Sequence, residues 1–384
     1  MTTQRSMPLR QIESMTEKKE ITKPNLLIVT TSLYFGGAQK VAYILAASLC
    51  ETYNVTVAYC FDSGRRHKFP EQCRIRKLPE YARNAGLMEK SLYIGKQIRA
   101  LKDLKQELNI EVSLSLGNIA NLINAFSKGK ERVICCERSN PERSWGRMYR
   151  LTHLILRRAD FVIFQSETIR QLYGEEIRRK SRILKNPLIR PQPADRQREK
   201  KIVTLGRLAP QKNHALLIRS FARFHQMYPA YRLYIFGNGE LAEPLNDLTA
   251  SLGLQDCVFL EKNDPAVHAR IRDAEMFVLS SDFEGLSNAL LECMAMGIAC
   301  ISTRCEGSRD VIRNGENGLL TGIGDEEGLV RAMCTLAADP QLRQKLERQA
   351  MADMQAYDRE LVIKDWDDTI RQCMNMEKKE TENE

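Results

Sequence analysis

Apolar and polar positions along this chain alternate between two periods. Leu26 to Thr31 is a largely apolar run, Ser32 to Gly37 a glycine-bearing turn, and Ala38 to Cys50 spaces its apolar residues with a helical period. That order predicts strand, loop and helix in turn. It recurs: Lys201 to Gly206 reads as a short strand before the helical pattern Asn213 to Met227, and Met276 to Leu279 as a strand before the helix Ala289 to Met296. Ser287 fits the N-cap of that last helix, and Gly297 its left-handed close. Strands alternating with helices predict an α/β protein with parallel sheets.

At 384 residues the chain exceeds one ordinary core and fits two domains. Lys185 to Arg198, with Pro187, Pro191 and Pro193, is the expected linker, which places the boundary near residue 195. The expected layout is a polar tail at 1–23, a first domain at 24–195, a second at 196–360, and a terminal helix with a short tail at 361–384.

Chemistry concentrates in Ser281 to Gly297, where Glu284 and Glu292 stand eight positions apart. Glu292 falls inside an apolar helical run, where a carboxylate costs several kcal/mol, on the order of the penalty for an unpaired ion, unless donors meet it. Hydroxyl-rich ligands supply such donors. Glu284 precedes Gly285 in the loop entering the helix, where free N–H groups and the helix dipole favour an anion. A phosphate flanked by two polyols, as in a sugar nucleotide, suits both halves. The competing reading has Glu284 capping the helix and Glu292 facing water. Arg207 and Lys212 follow another predicted strand, at the carboxyl edge where open α/β sheets bind ligands, and suit a diphosphate by fork and by point charge. Gly36 and Gly37 occupy a strand-to-helix turn, a geometry that serves phosphate binding or a plain turn.

Gly206-Arg207-Leu208 with Lys212-Asn213, Phe236-Gly237-Asn238-Gly239, Ser280 to Gly297, and Gly315-Glu316-Asn317-Gly318-Leu319-Leu320 together resemble the C-terminal half of glycosyltransferase family 4. The resemblance implies a GT-B architecture, two Rossmann-like domains facing across a cleft, and retaining transfer from a nucleotide sugar. It implies that Glu292 binds the ribose, Glu284 the donor hexose, and Arg207 and Lys212 the diphosphate. By the same resemblance, Gly206, Gly237 and Asn263 border the donor, the main chain of Gly285, Leu286, Ser287 and Asn288 meets phosphate and sugar, and Gly36 and Gly37 face the phosphates from the other domain. The terminal helix is implied to cross back to the N-terminal domain. Cys293 and Ala299 depart from the family's usual alanine and proline.

Leu114 to Ala125, with Gly117, Asn118, Asn121 and Asn124, and Val133 to Asn140 are the candidate acceptor-side segments. The second resembles a Ser-Glu-Arg-Asn loop of exopolysaccharide and amylovoran-type members, with Cys136 in place of the serine. Glu137 and Arg138 would then line the cleft; a strand end with a solvated turn is the alternative. His153 reads as structural, and Asp365-Trp366-Asp367 as a solvated helix face rather than a metal site. No metal or other cofactor is expected.

Residues 1–200 hold 37 Lys and Arg against 20 Asp and Glu, and residues 201–384 hold 21 against 29, so a basic first half meets an acidic second half. With no long apolar run and no leader pattern, the expectation is a cytoplasmic protein, peripheral on the inner face of the cell membrane, with its basic half on anionic lipid. Arg143, Arg147 and Arg150 around Trp145, with Arg157 and Arg158, form the first candidate patch; a generally solvated basic surface is the alternative. No zinc-ligand spacing, RNP-like strand or basic recognition helix supports nucleic-acid binding. Eleven cysteines at irregular spacing read as free thiols in a reducing compartment. The expected partners are therefore a nucleotide sugar, with uridine as base, and a lipid-diphosphate-linked saccharide of capsule, exopolysaccharide or lipopolysaccharide assembly. A soluble acceptor, or an inactive sugar-nucleotide-binding scaffold, is the alternative.

Overall fold

The computed structural model describes residues 23–376 apart from 35, 63–67, 81–85, 139, 147–148, 194–197 and 263–265. The expected tails (Lys23 excepted), the boundary at 195, Arg147 and Asn263 lie outside the described residues, as does the side chain of Trp145.

Thirteen described strands form two sheets. The first holds β1 (Asn25–Ser32), β2 (Asn54–Phe61), β3 (Arg74–Lys77), β4 (Val112–Leu116), β5 (Arg132–Glu137), β6 (Phe161–Phe164) and β7 (Ser181–Ile183). The second holds β8 (Glu199–Leu205), β9 (Arg232–Phe236), β10 (Val258–Glu261), β11 (Ala274–Leu279), β12 (Ala299–Thr303) and β13 (Leu319–Thr321). Their orders are β3-β2-β1-β4-β5-β6-β7 and β10-β9-β8-β11-β12-β13. Every pairing within them is parallel.

The apolar runs are unbroken because helices cover both sheet faces. In β1, Leu26 and Ile28 enter one core cluster while Leu27 and Val29 enter another. In β11, Met276 and Val278 face one core and Phe277 and Leu279 the other. Strand order reverses between β1 and β4 in the first sheet and between β8 and β11 in the second. These are the places where a crevice opens beyond the strand ends, and the glycine turn, Arg207, Lys212 and the two-glutamate segment all leave from them.

The helix Arg359–Met374 packs on the N-terminal lobe. Val362, Trp366, Ile370 and Cys373 join the core that contains Leu26, Ile28 and Val41. Trp366 is fully buried, and its indole N–H donates to the Lys185 carbonyl at 3.0 Å. Tyr53 donates its hydroxyl to Asp367 Oδ1 at 2.6 Å. This corrects the expected solvated face, since the tryptophan between the two aspartates is core and one aspartate is a buttress.

Candidate functional site

The helix Asn288–Ala295 begins as expected, with the Ser287 hydroxyl accepting from the Leu290 N–H at 3.4 Å. It closes on Gly297 at φ 66°, in the left-handed region. Gly285 is held by main chain: a Cβ on Gly307 would overlap the Gly285 carbonyl oxygen, and the Gly307 N–H donates to the Glu284 carbonyl at 3.3 Å. Leu286 is buried in the core of this lobe, so its side chain is committed to packing.

Glu284 is paired rather than capping the helix. Its carboxylate takes the Lys212 ammonium on Oε1, where the Ser281 hydroxyl also donates at 3.0 Å. The Lys212 stem packs over Gly206, where a Cβ would lie 3.0 Å from Lys212 Cε. A Cβ on Gly237 would overlap the Gly206 carbonyl, so the exits of β8 and β9 touch main chain to main chain. The loops that leave β8 and β11 are laced together. Gln211 donates to the Phe283 carbonyl at 2.9 Å, Asn213 to Asp282 at 2.8 Å, and the Ser280 hydroxyl to the Lys212 carbonyl at 3.0 Å. Arg207 is exposed and donates to Gln211 Oε1 at 3.2 Å.

Glu292 is buried, not facing water. Lys40, on the helix Gly37–Leu49, reaches Oε1 at 2.5 Å from the other lobe, and His268 Nε2 lies 2.7 Å from Oε2. Burial alone would raise this carboxyl. The Lys40 ammonium and the His268 ring outweigh it and hold the group below the usual carboxylate range.

Gly36 and Gly37 stand directly across from this helix. The Gly37 carbonyl accepts from the Asn288 amide at 3.0 Å. Two helix N-termini thus meet, Gly37 and Lys40 on one and Asn288 and Glu292 on the other. Asn238 donates to the Tyr34 hydroxyl at 3.3 Å, and Asn140 to Glu306 at 2.8 Å, adding further bonds between the lobes.

The acceptor-side expectation needs two corrections. Asn121 is buried, with Oδ1 accepting from the Ser115 hydroxyl at 2.8 Å and its amide donating to the Cys136 carbonyl at 2.9 Å. Glu137 is also buried, accepting from the Arg138 N–H at 2.9 Å and the Tyr173 hydroxyl at 3.3 Å. Both brace the strand ends from within instead of lining a surface. Arg138 and Asn118 remain partly open, Asn118 opening the helix Asn118–Phe126. Burial lowers the Arg138 guanidinium to about 10, which leaves it a cation at neutral pH. Within the basic patch, Arg157 pairs with Glu176 at 2.9 Å and Arg158 lies over the Phe126 ring at 4.8 Å, so two of its cations already have partners.

Lys40, His268, Asn186 and Gly307 were not singled out from sequence. A cation one turn into the helix after the glycine pair was a usable sign for Lys40, whereas His268 lies on the five-residue helix Val267–Ile271 and carries no periodic signal.

Comparison with known proteins bears on the fold that holds these residues. Residues 185–353 match the family described as Glycosyl transferases group 1. That match spans the lobe built on the second sheet. It is 35% identical over 145 residues to the lipopolysaccharide core biosynthesis glycosyltransferase LpsE of Rhizobium meliloti, covering 38% of this chain and 42% of the relative. It is 32% identical over 169 residues to the N-acetylgalactosamine-N,N'-diacetylbacillosaminyl-diphospho-undecaprenol 4-alpha-N-acetylgalactosaminyltransferase of Campylobacter jejuni, covering 44% of this chain and 46% of the relative. The chain therefore spans less than half the length of these two relatives. Anabaena HepE in complex with UDP and glucose superposes with a TM-score of 0.76 at 15% identity, covering 91% of this chain and 99% of that one. The architecture is GT-B, with two parallel-sheet lobes.

Proposed function

We propose that this chain is a retaining, metal-independent glycosyltransferase of family 4. It moves a hexose or N-acetylhexosamine from a UDP-sugar to a lipid-diphosphate-linked saccharide in bacterial surface polysaccharide assembly. The observation that carries this reading is the convergence of Glu284, Glu292, Lys212 and Arg207 at the β8 and β11 exits, opposite the Gly36-Gly37 turn. In this reading Glu292 accepts the ribose hydroxyls and Glu284 those of the donor sugar. Arg207, Lys212 and the N–H groups of Gly285 to Asn288 stabilise the charge that grows on the leaving diphosphate. The acceptor hydroxyl attacks the anomeric carbon on the face that the diphosphate leaves. The new carbon–oxygen bond forms as the bond to the phosphate oxygen breaks, and that phosphate takes the hydroxyl proton.

The lipid-linked acceptor is supported by the Campylobacter relative, whose name specifies a diphospho-undecaprenol substrate, and by the basic N-terminal half. In this reading lipid contact is peripheral, from the cytoplasmic side; among the described residues no helix is long and apolar enough to cross a membrane. The test is a thermal-shift panel of UDP-, GDP-, ADP- and dTDP-sugars without added metal, repeated on Arg207→Ala. A shift with UDP-sugars that the variant loses supports the reading. No shift from any of them, with folded protein, overturns it.

A further inference from the structure

One buried side chain ties the candidate donor loop to the candidate acceptor loop. Asn186 follows β7 on the segment that connects the two lobes and is 1% exposed. Its carbonyl oxygen accepts from Gln165 Nε2 and, at 3.3 Å, from Arg138 Nη1. Its amide donates to Asn288 Oδ1 at 2.7 Å, and the Asn288 amide donates in turn to the Gly37 carbonyl at 3.0 Å.

The direction of this chain of bonds is forced from both ends. A guanidinium only donates and a backbone carbonyl only accepts. With Arg138 at one end and Gly37 at the other, each asparagine has a single amide orientation that satisfies both neighbours. Flipping either one would set carbonyl against carbonyl or amide against amide, inside a site where unpaired polar groups are costly. The chain joins Arg138 from the β5 exit, Asn288 from the donor helix and Gly37 from the glycine turn.

We propose that Asn186 is a positioning residue that sets Arg138 and the Asn288 end of the donor helix against each other, so that the leaving-group and sugar contacts form in register. This deepens the transferase reading and rests on it. Of the groups that hold the nucleotide in that reading, Glu292, Arg207 and Lys212 make no bond in this chain, and Asn288 enters it through its side-chain amide, not through the main-chain N–H assigned to the diphosphate, so losing Asn186 should impair turnover far more than nucleotide affinity.

Two measurements test it. The first needs no ligand: a double-mutant cycle of Asn186→Ala and Asn288→Ala in urea denaturation, where a bonded pair gives a non-additive result and strict additivity overturns the proposal. The second compares wild type with Asn186→Asp, which keeps the shape but removes the donor to Asn288. The readouts are the Kd for UDP and the rate of UDP release from whichever UDP-sugar the wild type hydrolyses. A fall in kcat of roughly tenfold to a hundredfold, with the UDP Kd changed by less than about threefold, is expected. Equal kcat, or a loss confined to UDP affinity, overturns the positioning role. A wild type that binds no nucleotide while the cycle still shows coupling instead counts against the transferase reading alone.

Discussion

Lys40 of the N-terminal lobe and Glu292 of the C-terminal lobe meet at 2.5 Å, 252 positions apart in the chain. The ammonium is about one quarter exposed and the carboxylate nearly buried, so the pair is better insulated than a surface bridge. Lys40→Met leaves the carboxylate with His268 alone and should cost about 1–3 kcal/mol in urea denaturation at pH 7. The Glu292 carboxyl is held below its unfolded value, so its contribution is present above about pH 4.3 and fades as pH falls through the folded value. The gap between wild type and variant should therefore narrow below about pH 4. A gap undiminished at pH 3 would place the effect elsewhere.

Glu292→Gln tests the ribose assignment without emptying the site. The amide keeps the volume and one acceptor but loses the charge that draws hydroxyl donors. Donor KM should rise roughly tenfold, with a smaller change in kcat. An unchanged KM removes the assignment.

Lys212 and Arg207 are expected to act on the leaving group, by different routes. Lys212→Ala also strips Glu284 of its ammonium, leaving only the Ser281 hydroxyl on that oxygen. Its kcat should fall by about a hundredfold to a thousandfold, in the range for losing one preorganised donor. Arg207 is exposed and its guanidinium donates to Gln211, so Arg207→Ala should leave the melting temperature unchanged while lowering kcat. Full activity in both variants would assign the diphosphate to other groups.

The strand-to-helix order could be read from the sequence because sheets covered on both faces leave unbroken apolar runs, as in β1 and β11. Glu284 and Glu292 stood out because a carboxylate within or beside a buried helix needs partners. The partners themselves were hidden. Lys40 meets Glu292 only once the two lobes face each other, and no local pattern encodes that distance. Asn186 precedes Pro187 and so read as linker, although the start of that segment is packed tightly enough to bury its amide. Asn121 and Glu137 failed for the opposite reason. A polar residue at a strand exit has the same spacing whether it lines a cleft or braces the loop beneath it, and only burial separates the two.

Gly307 is a support with no chemistry of its own. An added methyl group would strike the Gly285 carbonyl, and backbone on both sides leaves nothing flexible to yield. Gly307→Ala should therefore push the Glu284-Gly285 turn outward, costing about 1–3 kcal/mol of stability and lowering turnover together. Retention of full activity would mean that the turn tolerates displacement and that its main chain is not a close ligand contact.

His214 offers a pH test of the loop that carries Arg207. Its Nε2 lies 3.3 Å from the Arg207 carbonyl, which can only accept, so the ring is the donor; Nδ1 is buried with no partner among the described residues. Burial first, and then the nearby Lys212 charge, lower the ring to about 4. Between that value and an unfolded value of about 6.5, the unfolded chain binds a proton that the folded chain refuses, so stability must rise with pH across this window. From pH 6.5 down to 4 the wild type should lose on the order of 3 kcal/mol more than His214→Gln, which can keep a donor but does not titrate. Other titrating groups are shared by the two proteins and cancel in the difference. If the two denaturation curves stay parallel across the window, the His214 ring titrates in the folded protein as it does in the unfolded chain, and the loop beneath Arg207 is open to water rather than sealed.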